Sequence, residues 1–217
     1  MPGSHSGHSS LGWPYWRKVM SVDNANLAAL VGSRICHDLI SPVGAINNGL
    51  ELLGMSNSLE GPELELISDS VNNANARIRF FRVAFGAAGE QELGRMEIMS
   101  VLSDVSKGGR IKYNWSSQDS AARRDVRMAF LAGLCLESAL PYGGTVQILR
   151  STDGWTVTGE GRKINLDETL WSGLVADTTP AEITPALVQF ALLPAAAKEA
   201  GYTLAFNQTA EKISISF

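Results

Sequence analysis

The chain has 217 residues, with 18 Lys and Arg against 22 Asp and Glu, a formal net charge of −4 and 45% hydrophobic residues. Disorder is not expected, because a chain this apolar and this weakly charged can offset its ordering entropy by burial. The mildly acidic balance provides no cluster of Lys and Arg for a nucleic-acid backbone or an anionic membrane, so we expect neither as a partner.

The cysteines and the hydropathy pattern indicate the cellular compartment of the protein. Cys36 and Cys135 form neither a disulfide framework nor a metal-ligand cluster, which is typical of a reducing cytoplasm. The most apolar stretch, residues 187–197, contains a glutamine and a proline and is shorter than the ~20 residues of a membrane span. Residues 1–22 are interpreted as a tail, because the first ten residues lack the features of a signal peptide. We therefore expect a cytoplasmic protein.

Two long helices are predicted in the first half of the chain. Between Asp23 and Met55 apolar residues recur every three or four positions, and Asp23 or Asn24 can cap the helix. Its predicted buried stripe comprises Leu27, Val31, Ile35, Leu39, Val43, Ile46, Leu50 and Leu53. A Gly- and Ser-rich loop follows, and Pro62 suits the first position of a second helix. That helix carries a heptad series of Leu64, Ile67, Val71, Ala74, Ile78, Phe81 and Phe85.

The two helices are expected to form an antiparallel hairpin over residues 23–86. A hairpin alone leaves much of its apolar stripe in water. A second copy could cover the stripe and give a homodimeric four-helix bundle with an isologous interface. The alternative is that the rest of the same chain covers it. The sustained heptad series favours the dimeric bundle.

After residue 90 the pattern changes to alternating short helices and strands. Helices are predicted at 96–105, 125–140, 166–175 and 185–200, a strand at 110–115, and hairpins at 145–158 and 202–217. This order indicates an α/β sandwich over residues 91–217, with an antiparallel or mixed sheet covered on one face. The fold class of the whole chain is therefore α+β, with two domains.

The residues with the clearest chemical potential lie on the first helix. At 100° per residue, with Ile35 at zero, the buried stripe spans about 80°, whereas His37 falls at about 200°. Ser41, Gly44 and Asn48 fall between about 180° and 240°, so we expect them to share a solvent-facing strip with His37. A neutral imidazole there has a lone pair available as a nucleophile, and the glycine leaves room for a large partner.

The neighbours of His37 add to this interpretation. Arg34 and Asp38 are four residues apart on the helix and close enough to pair. Pro42 removes the backbone donor to the carbonyl of Asp38, at a cost of about 3 kcal/mol in a helix interior, which indicates that backbone shape matters there. Arg77, on the second helix, is interpreted as an ordinary solvated charge, as are Arg79 and Arg82.

The segment HDLISP, residues 37–42, resembles the H-box of sensor histidine kinases. The longer string ICHDLISPVGAINNGLELLG, residues 35–54, is similar to the ChpT-type histidine phosphotransferases of bacterial phosphorelays. The resemblance implies that His37 carries a phosphoryl group between receiver-domain aspartates, those of a hybrid histidine kinase and of response regulators. It also implies that Asp38 orients or deprotonates the imidazole, although pairing with Arg34 is an alternative role for this residue.

The resemblance further implies that the receiver brings the Mg²⁺ and the cationic residue, so no cofactor is expected on this chain. The transfer is an in-line displacement that depends mainly on positioning. The predicted partner-binding surface consists of Arg34, Ser41, Gly44 and Asn48.

An ATP site of the histidine-kinase type is expected to be absent. In residues 134–142 the asparagine and basic positions of the kinase motif are occupied by other residue types. Val157 stands where an adenine-binding Asp is expected, although Gly159 and Gly161 keep the usual spacing. Residues 184–187 contain no glycine to cover a phosphate. The second domain is therefore interpreted as a degenerate histidine-kinase ATPase domain, and the resemblance to the ChpT-type family implies that it serves docking and shape.

Two other functions stay open from the sequence. One is a non-catalytic adaptor that binds receivers or inhibits a kinase through the bundle and the degenerate domain. The other is a divergent ATP-dependent kinase. Transfer of phosphate to His37, and binding of an ATP analogue with Mg²⁺, distinguish the three.

Overall fold

The computed structural model describes residues 16–55, 62–176 and 183–217, with side chains from residue 25 onward. Helix α1 (Trp16–Met55) and helix α2 (Pro62–Ala84) pack along each other as the predicted hairpin. Pro62 is the first residue of α2, as expected. Helix α1 begins at Trp16, so Asp23 lies inside the helix and the predicted cap at Asp23 or Asn24 is wrong. Residues 1–15 of the predicted tail and residues 56–61 of the loop lie outside the described residues.

The two helices approach each other closely at Gly49, which is buried in the hairpin. A Cβ built on Gly49 would lie 2.5 Å from Cγ1 of Ile67. Carbon atoms at van der Waals contact are about 3.5–4.0 Å apart, so a larger residue at this position would push the helices apart. The absence of a side chain at Gly49 therefore sets the distance between α1 and α2.

The heptad series of α2 divides into two rows. Ile67 and Ala74 are partly buried and Phe81 is buried, whereas Leu64, Val71 and Ile78 are exposed. A spacing of seven residues within each row keeps it on one side of the helix. One row therefore packs inside the protein and the other faces solvent.

The predicted buried stripe of α1 is only partly correct. Ile35, Leu39, Ile46 and Leu53 are partly buried. Val43 and Leu50 are 48% and 55% exposed. A single neighbouring helix is too narrow to cover the full width of the stripe, so these members stay open. We define the apolar seam as the exposed residues Val43 and Leu50 of α1 with Leu64, Val71 and Ile78 of α2.

The second half of the chain has the predicted mixture of helices and strands. Its helices are α3 (Arg95–Lys107), α4 (Arg123–Ala139), α5 (Glu168–Ala176) and α6 (Gln189–Ala200), with a 3₁₀ turn at Pro185–Leu187. Its strands are β1 (Glu92–Leu93), β2 (Ile111–Trp115), β3 (Ala121–Ala122), β4 (Gly144–Ser151), β5 (Gly154–Glu160), β6 (Ala205–Gln208) and β7 (Lys212–Ser216). The short pair β1 and β3 carries no alternating pattern and was not predicted.

The main sheet has five strands in the order β2-β4-β5-β7-β6. Strands β2 and β4 are parallel and the other neighbours are antiparallel, so the sheet is mixed. Buried and exposed residues alternate along β2, as in a sheet with one covered face. Helix α4 lies on the covered face against β5, and most of its side chains are buried. Trp115, Trp155 and Trp171 are buried and pack in the core.

The end of α2 belongs to the core of the second half. Phe80 stacks on Phe130 of α4 with ring centroids 4.7 Å apart, and it also contacts Tyr113 of β2. The 3₁₀ turn at Pro185–Leu187 contacts α1. The hairpin is therefore attached to the α/β domain through both of its helices.

Candidate phosphotransfer site

His37 projects from the middle of α1 with 82% of its side chain exposed. Ser41 and Asn48 are also exposed, and Gly44 is partly exposed with no atom within 4 Å of a Cβ built on it. The predicted solvent-facing strip is therefore present. The roles assigned to its members stay predictions.

Asp38 contacts the His37 ring. Its Oδ1 lies 3.2 Å from Nδ1 of His37, while only 11% of the Asp38 side chain is exposed. An ionised carboxylate only accepts hydrogen bonds, so a neutral His37 carries its proton on Nδ1 when it makes this contact. The lone pair is then on Nε2, the nitrogen that does not face Asp38.

Arg34 holds the other oxygen of Asp38. Its Nε donates to Oδ2 of Asp38 at 2.8 Å, and its Nη1 donates to the carbonyl oxygen of Ala186 at 2.6 Å. The predicted pairing of Arg34 with Asp38 is confirmed. Both interpretations of Asp38 hold geometrically, because one oxygen faces His37 and the other faces Arg34. Only 17% of the Arg34 side chain is exposed, unlike the residues of the strip.

Arg77 is the residue of this site that the sequence analysis missed. Its Nη1 lies 3.9 Å from Oδ2 of Asp38, so the interpretation of Arg77 as a solvated charge is wrong. Arg79 likewise pairs with Asp104 at 2.7 Å rather than standing free in solvent. The sequence contained no signal for these contacts, because they depend on the register of α2 against its neighbours.

A small cavity of about 50 Å³ lies behind Asp38 and is lined by Arg77, Tyr113 and Glu137, among others. Within the described part of the chain, the Tyr113 hydroxyl has no hydrogen-bond partner. Burial raises the pKa of Tyr113 well above its usual value, and the nearby Glu137 carboxylate raises it further. The phenol therefore stays protonated at neutral pH.

The two glycines that keep the spacing of the kinase motif, Gly159 and Gly161, pack against side chains of α4 and of the residue after it. A Cβ on Gly159 would lie 3.4 Å from Leu136, and one on Gly161 would lie 2.8 Å from Leu140. Val157 is fully buried. The two glycines here allow the sheet to pack closely against leucines.

Within the described residues, no helix combines the length and the hydropathy needed to cross a membrane. In the same part of the chain, no three His, Cys, Asp or Glu residues are grouped so that they could hold a metal ion.

Comparison with known proteins identifies the family. The family described as histidine phosphotransferase C-terminal domain matches residues 95–212. Protein phosphotransferase ChpT of Brucella abortus (strain 2308) is 34% identical over 201 residues, which cover 88% of this chain and 94% of that protein. The solved structure of a bacterial phosphotransferase is 33% identical, with a TM-score of 0.73, covering 88% of this chain and 95% of that one. The histidine kinase AdeS of Acinetobacter baumannii is 11% identical, with a TM-score of 0.42 over 83% of this chain and 96% of that one.

The family match in the α/β domain, together with the relation to protein phosphotransferase ChpT, defines the chain as a histidine phosphotransferase. The match extends over nearly the whole length of both chains. Within that class, the chain belongs to the ChpT-type family.

Proposed function

We propose that this protein carries phosphoryl groups between receiver domains through His37, without using ATP. The observation that supports this most directly is the geometry of the ring. One edge of the imidazole is held by Asp38 at Nδ1, and 82% of the side chain is open to an approaching partner. The partners are the receiver of a hybrid histidine kinase and the receivers of response regulators. The reaction takes place in the cytoplasm, where the thiols of Cys36 and Cys135 stay reduced.

In the forward step, Nε2 of His37 attacks the phosphorus of an aspartyl phosphate. The N–P bond forms as the P–O bond to the aspartate breaks, and the aspartate leaves as a carboxylate. The phosphorylated ring keeps the Nδ1 proton and becomes cationic, and the Asp38 carboxylate stabilises this charge. Transfer to the second receiver reverses these bonds. Mg²⁺ belongs to the receiver, and this chain contributes position and charge.

The exposed strip around His37 is the proposed receiver-binding surface. Ser41 and Asn48 lie one and three turns along α1 from His37, and Gly44 lies between them without a side chain. A receiver must bring its aspartate within bonding distance of Nε2, so its surface has to approach the backbone of α1 closely. Gly44 permits that approach because nothing projects from the helix there. Direct receiver contact by Arg34 stays a prediction.

The second domain is proposed to serve docking and shape rather than nucleotide binding. Leu136 and Leu140 pack against Gly159 and Gly161, where a nucleotide would need space. Leu140 itself is completely buried. These contacts support an ATP-independent protein over a divergent kinase.

The apolar seam supports a homodimeric four-helix bundle. Its members recur every seven residues on each helix, at 43 and 50 on α1 and at 64, 71 and 78 on α2. This spacing is that of helices that pack side by side in coiled-coil geometry. Cover by the same chain, the alternative, is present at the end of α2, where Phe80 and Phe81 are buried, and at Ile35 of α1, which packs against the core.

Phosphoryl transfer is tested with a receiver domain that has been phosphorylated on its aspartate with radioactive label. We expect label on this protein that is labile to acid and stable to base, as phosphohistidine is. His37→Ala and His37→Gln remove it. Incubation with labelled ATP and Mg²⁺ in the absence of a receiver gives no label.

The same experiment distinguishes the adaptor hypothesis. If wild type takes no label while His37→Gln binds the receiver as tightly as wild type does, the protein is an adaptor and the transfer function is wrong. Label from ATP alone would instead support the hypothesis of a divergent ATP-dependent kinase.

A further inference from the structure

Asp38 is fixed on the side away from His37 by two arginines, one from each helix of the hairpin. Both approach the same oxygen, Oδ2, which leaves Oδ1 to face the imidazole. We propose that Arg34 and Arg77 are positioning residues that hold Asp38 so that His37 keeps its proton on Nδ1 and its lone pair on Nε2. This proposal deepens the proposed function, on which its relevance to phosphotransfer rests.

Arg34 joins Asp38 to the second domain. Its Nε binds Asp38 on the next turn of α1, and its Nη1 binds the carbonyl of Ala186 in the 3₁₀ turn of the second domain. Two hydrogen bonds from one planar guanidinium fix its orientation as well as its position. The second domain therefore helps to set the conformation of Asp38 through a single side chain.

Arg77 contributes from the other helix. It lies 3.9 Å from Oδ2 of Asp38, and its Nε donates to Asn73 one turn earlier on α2 at 2.9 Å. This second hydrogen bond limits the rotation of the Arg77 side chain, so its charge stays near Asp38. The Arg77 side chain is 34% exposed and the contact is longer than that of Arg34. We therefore expect the effect of Arg77 to be the smaller of the two.

The arrangement matters because adjacent residues on a helix do not face each other. Asp38 reaches His37 only in a side-chain conformation that bends around α1. An unrestrained aspartate would rotate among its staggered rotamers and expose its carboxylate to water. The arginines favour the conformation in which Oδ1 meets Nδ1.

Nitrogen NMR of the His37 ring tests directly whether Arg34 and Arg77 set its tautomer. The full-length protein is labelled with ¹⁵N, and the ring signals of His37 are assigned by their loss in His37→Gln. At a pH well above the usual histidine pKa of about 6.5, wild type is expected to show a protonated Nδ1. Arg34→Gln and Arg77→Gln shift the tautomer equilibrium toward protonated Nε2, as Asp38→Ala does.

Arg79→Gln is the matched control. Arg79 lies on the same helix two residues from Arg77 and makes a partly buried ion pair, but with Asp104 instead of Asp38. The change of charge is the same, so a general electrostatic effect would appear in both variants. We expect wild-type ring shifts in Arg79→Gln.

The link to the second domain has its own measurement. Arg34→Gln is expected to move the carbonyl ¹³C signal of Ala186, because that oxygen loses its donor, whereas Arg77→Gln leaves the signal in place. Arg34→Lys keeps the charge but has one nitrogen, so it is expected to restore part of the tautomer preference.

Phosphotransfer is measured in parallel. We expect the rate of label transfer to fall about tenfold in Arg34→Gln. A loss of this size is typical when a residue that orients a metal-binding histidine is removed. A smaller fall is expected in Arg77→Gln. Arg79→Gln is expected to transfer at the wild-type rate.

The nitrogen shifts decide this proposal whatever the transfer assay shows. Wild-type shifts in a folded Arg34→Gln and Arg77→Gln would overturn it, even if both variants transferred slowly. If Arg34→Gln does not fold, Arg77→Gln and Arg34→Lys decide in the same way. A wild type that accepts no phosphoryl group would instead overturn the proposed function.

Discussion

His37 is open to solvent on one side, and on the other it is held by a carboxylate that is itself almost buried. The exposure of His37 and the pairing of Arg34 with Asp38 could be predicted from the sequence, because both follow from the geometry of one helix. The approach of Arg77 could not, because it depends on how two helices are aligned. The geometry of one helix therefore predicted the exposure of His37 but only part of its surroundings.

Gly44 provides a prediction at the residue scale. We expect Gly44→Trp to fold like wild type, because no atom lies within 4 Å of a Cβ at this position, and to lose receiver binding because the indole projects into the strip. Receiver affinity by titration calorimetry and transfer by label measure the two effects.

The control is Gly44→Ala, which removes the glycine without adding bulk. It is expected to bind and transfer as wild type does. Unchanged transfer kinetics in Gly44→Trp would show that the receiver does not approach α1 here.

At the scale of the elements, periodicity predicted which segments are helices and strands more reliably than where they end. Helix α1 extends back to Trp16 beyond its predicted cap, and the long predicted helix at 185–200 begins as a 3₁₀ turn. The short strands β1 and β3 are defined by their pairing with each other rather than by a pattern of their own. The parallel pairing of β2 with β4 is likewise a long-range feature.

Gly49 provides a prediction at the scale of the hairpin. Alanine stabilises a helix interior over glycine by about 0.5–1 kcal/mol, which is the effect expected for Gly44→Ala. In Gly49→Ala the methyl group would lie 2.5 Å from Ile67 Cγ1, and overpacking typically costs 1–3 kcal/mol. We expect Gly49→Ala to lower the free energy of unfolding by about 1 kcal/mol.

Thermal unfolding followed by circular dichroism, at one protein concentration, compares the two variants. A Tm above wild type for Gly44→Ala and below wild type for Gly49→Ala is the expected pair of results. Equal stabilisation by both substitutions would contradict the close approach of α1 and α2 at Gly49.

At the scale of the whole molecule, the α+β class followed from the order of the elements, which left open whether the sheet is antiparallel or mixed. The attachment of the two halves to each other did not follow from that order. Phe80 and Phe81 continue the apolar pattern of α2, yet they pack into the core of the second domain. A heptad pattern indicates that a face is covered and leaves open what covers it.

Oligomeric state is the prediction at this scale. Light scattering of wild type at tens of micromolar is expected to give about twice the 23.3 kDa of one chain. Val71→Glu places a charge in the apolar seam and is expected to give a single-chain mass, because an unpaired charge is costly to bury. A single-chain mass for wild type would contradict the bundle.

Leu66→Glu is the matched control for the seam. Leu66 is exposed to a similar degree, 43% against 39% for Val71, but falls about 140° away from Val71 around α2. We expect it to keep the wild-type mass. A single-chain mass for Leu66→Glu as well would show that the effect of the added charge is not specific to the apolar seam.

The apolar seam and the strip that carries His37 occupy different sides of α1, about 120–140° apart. Joining two chains along the seam would consequently leave both imidazoles accessible. Each dimer would then carry up to two phosphoryl groups, and two receivers could bind to it at once. Such a bivalent carrier could hold a spent donor on one side while it supplies an acceptor on the other.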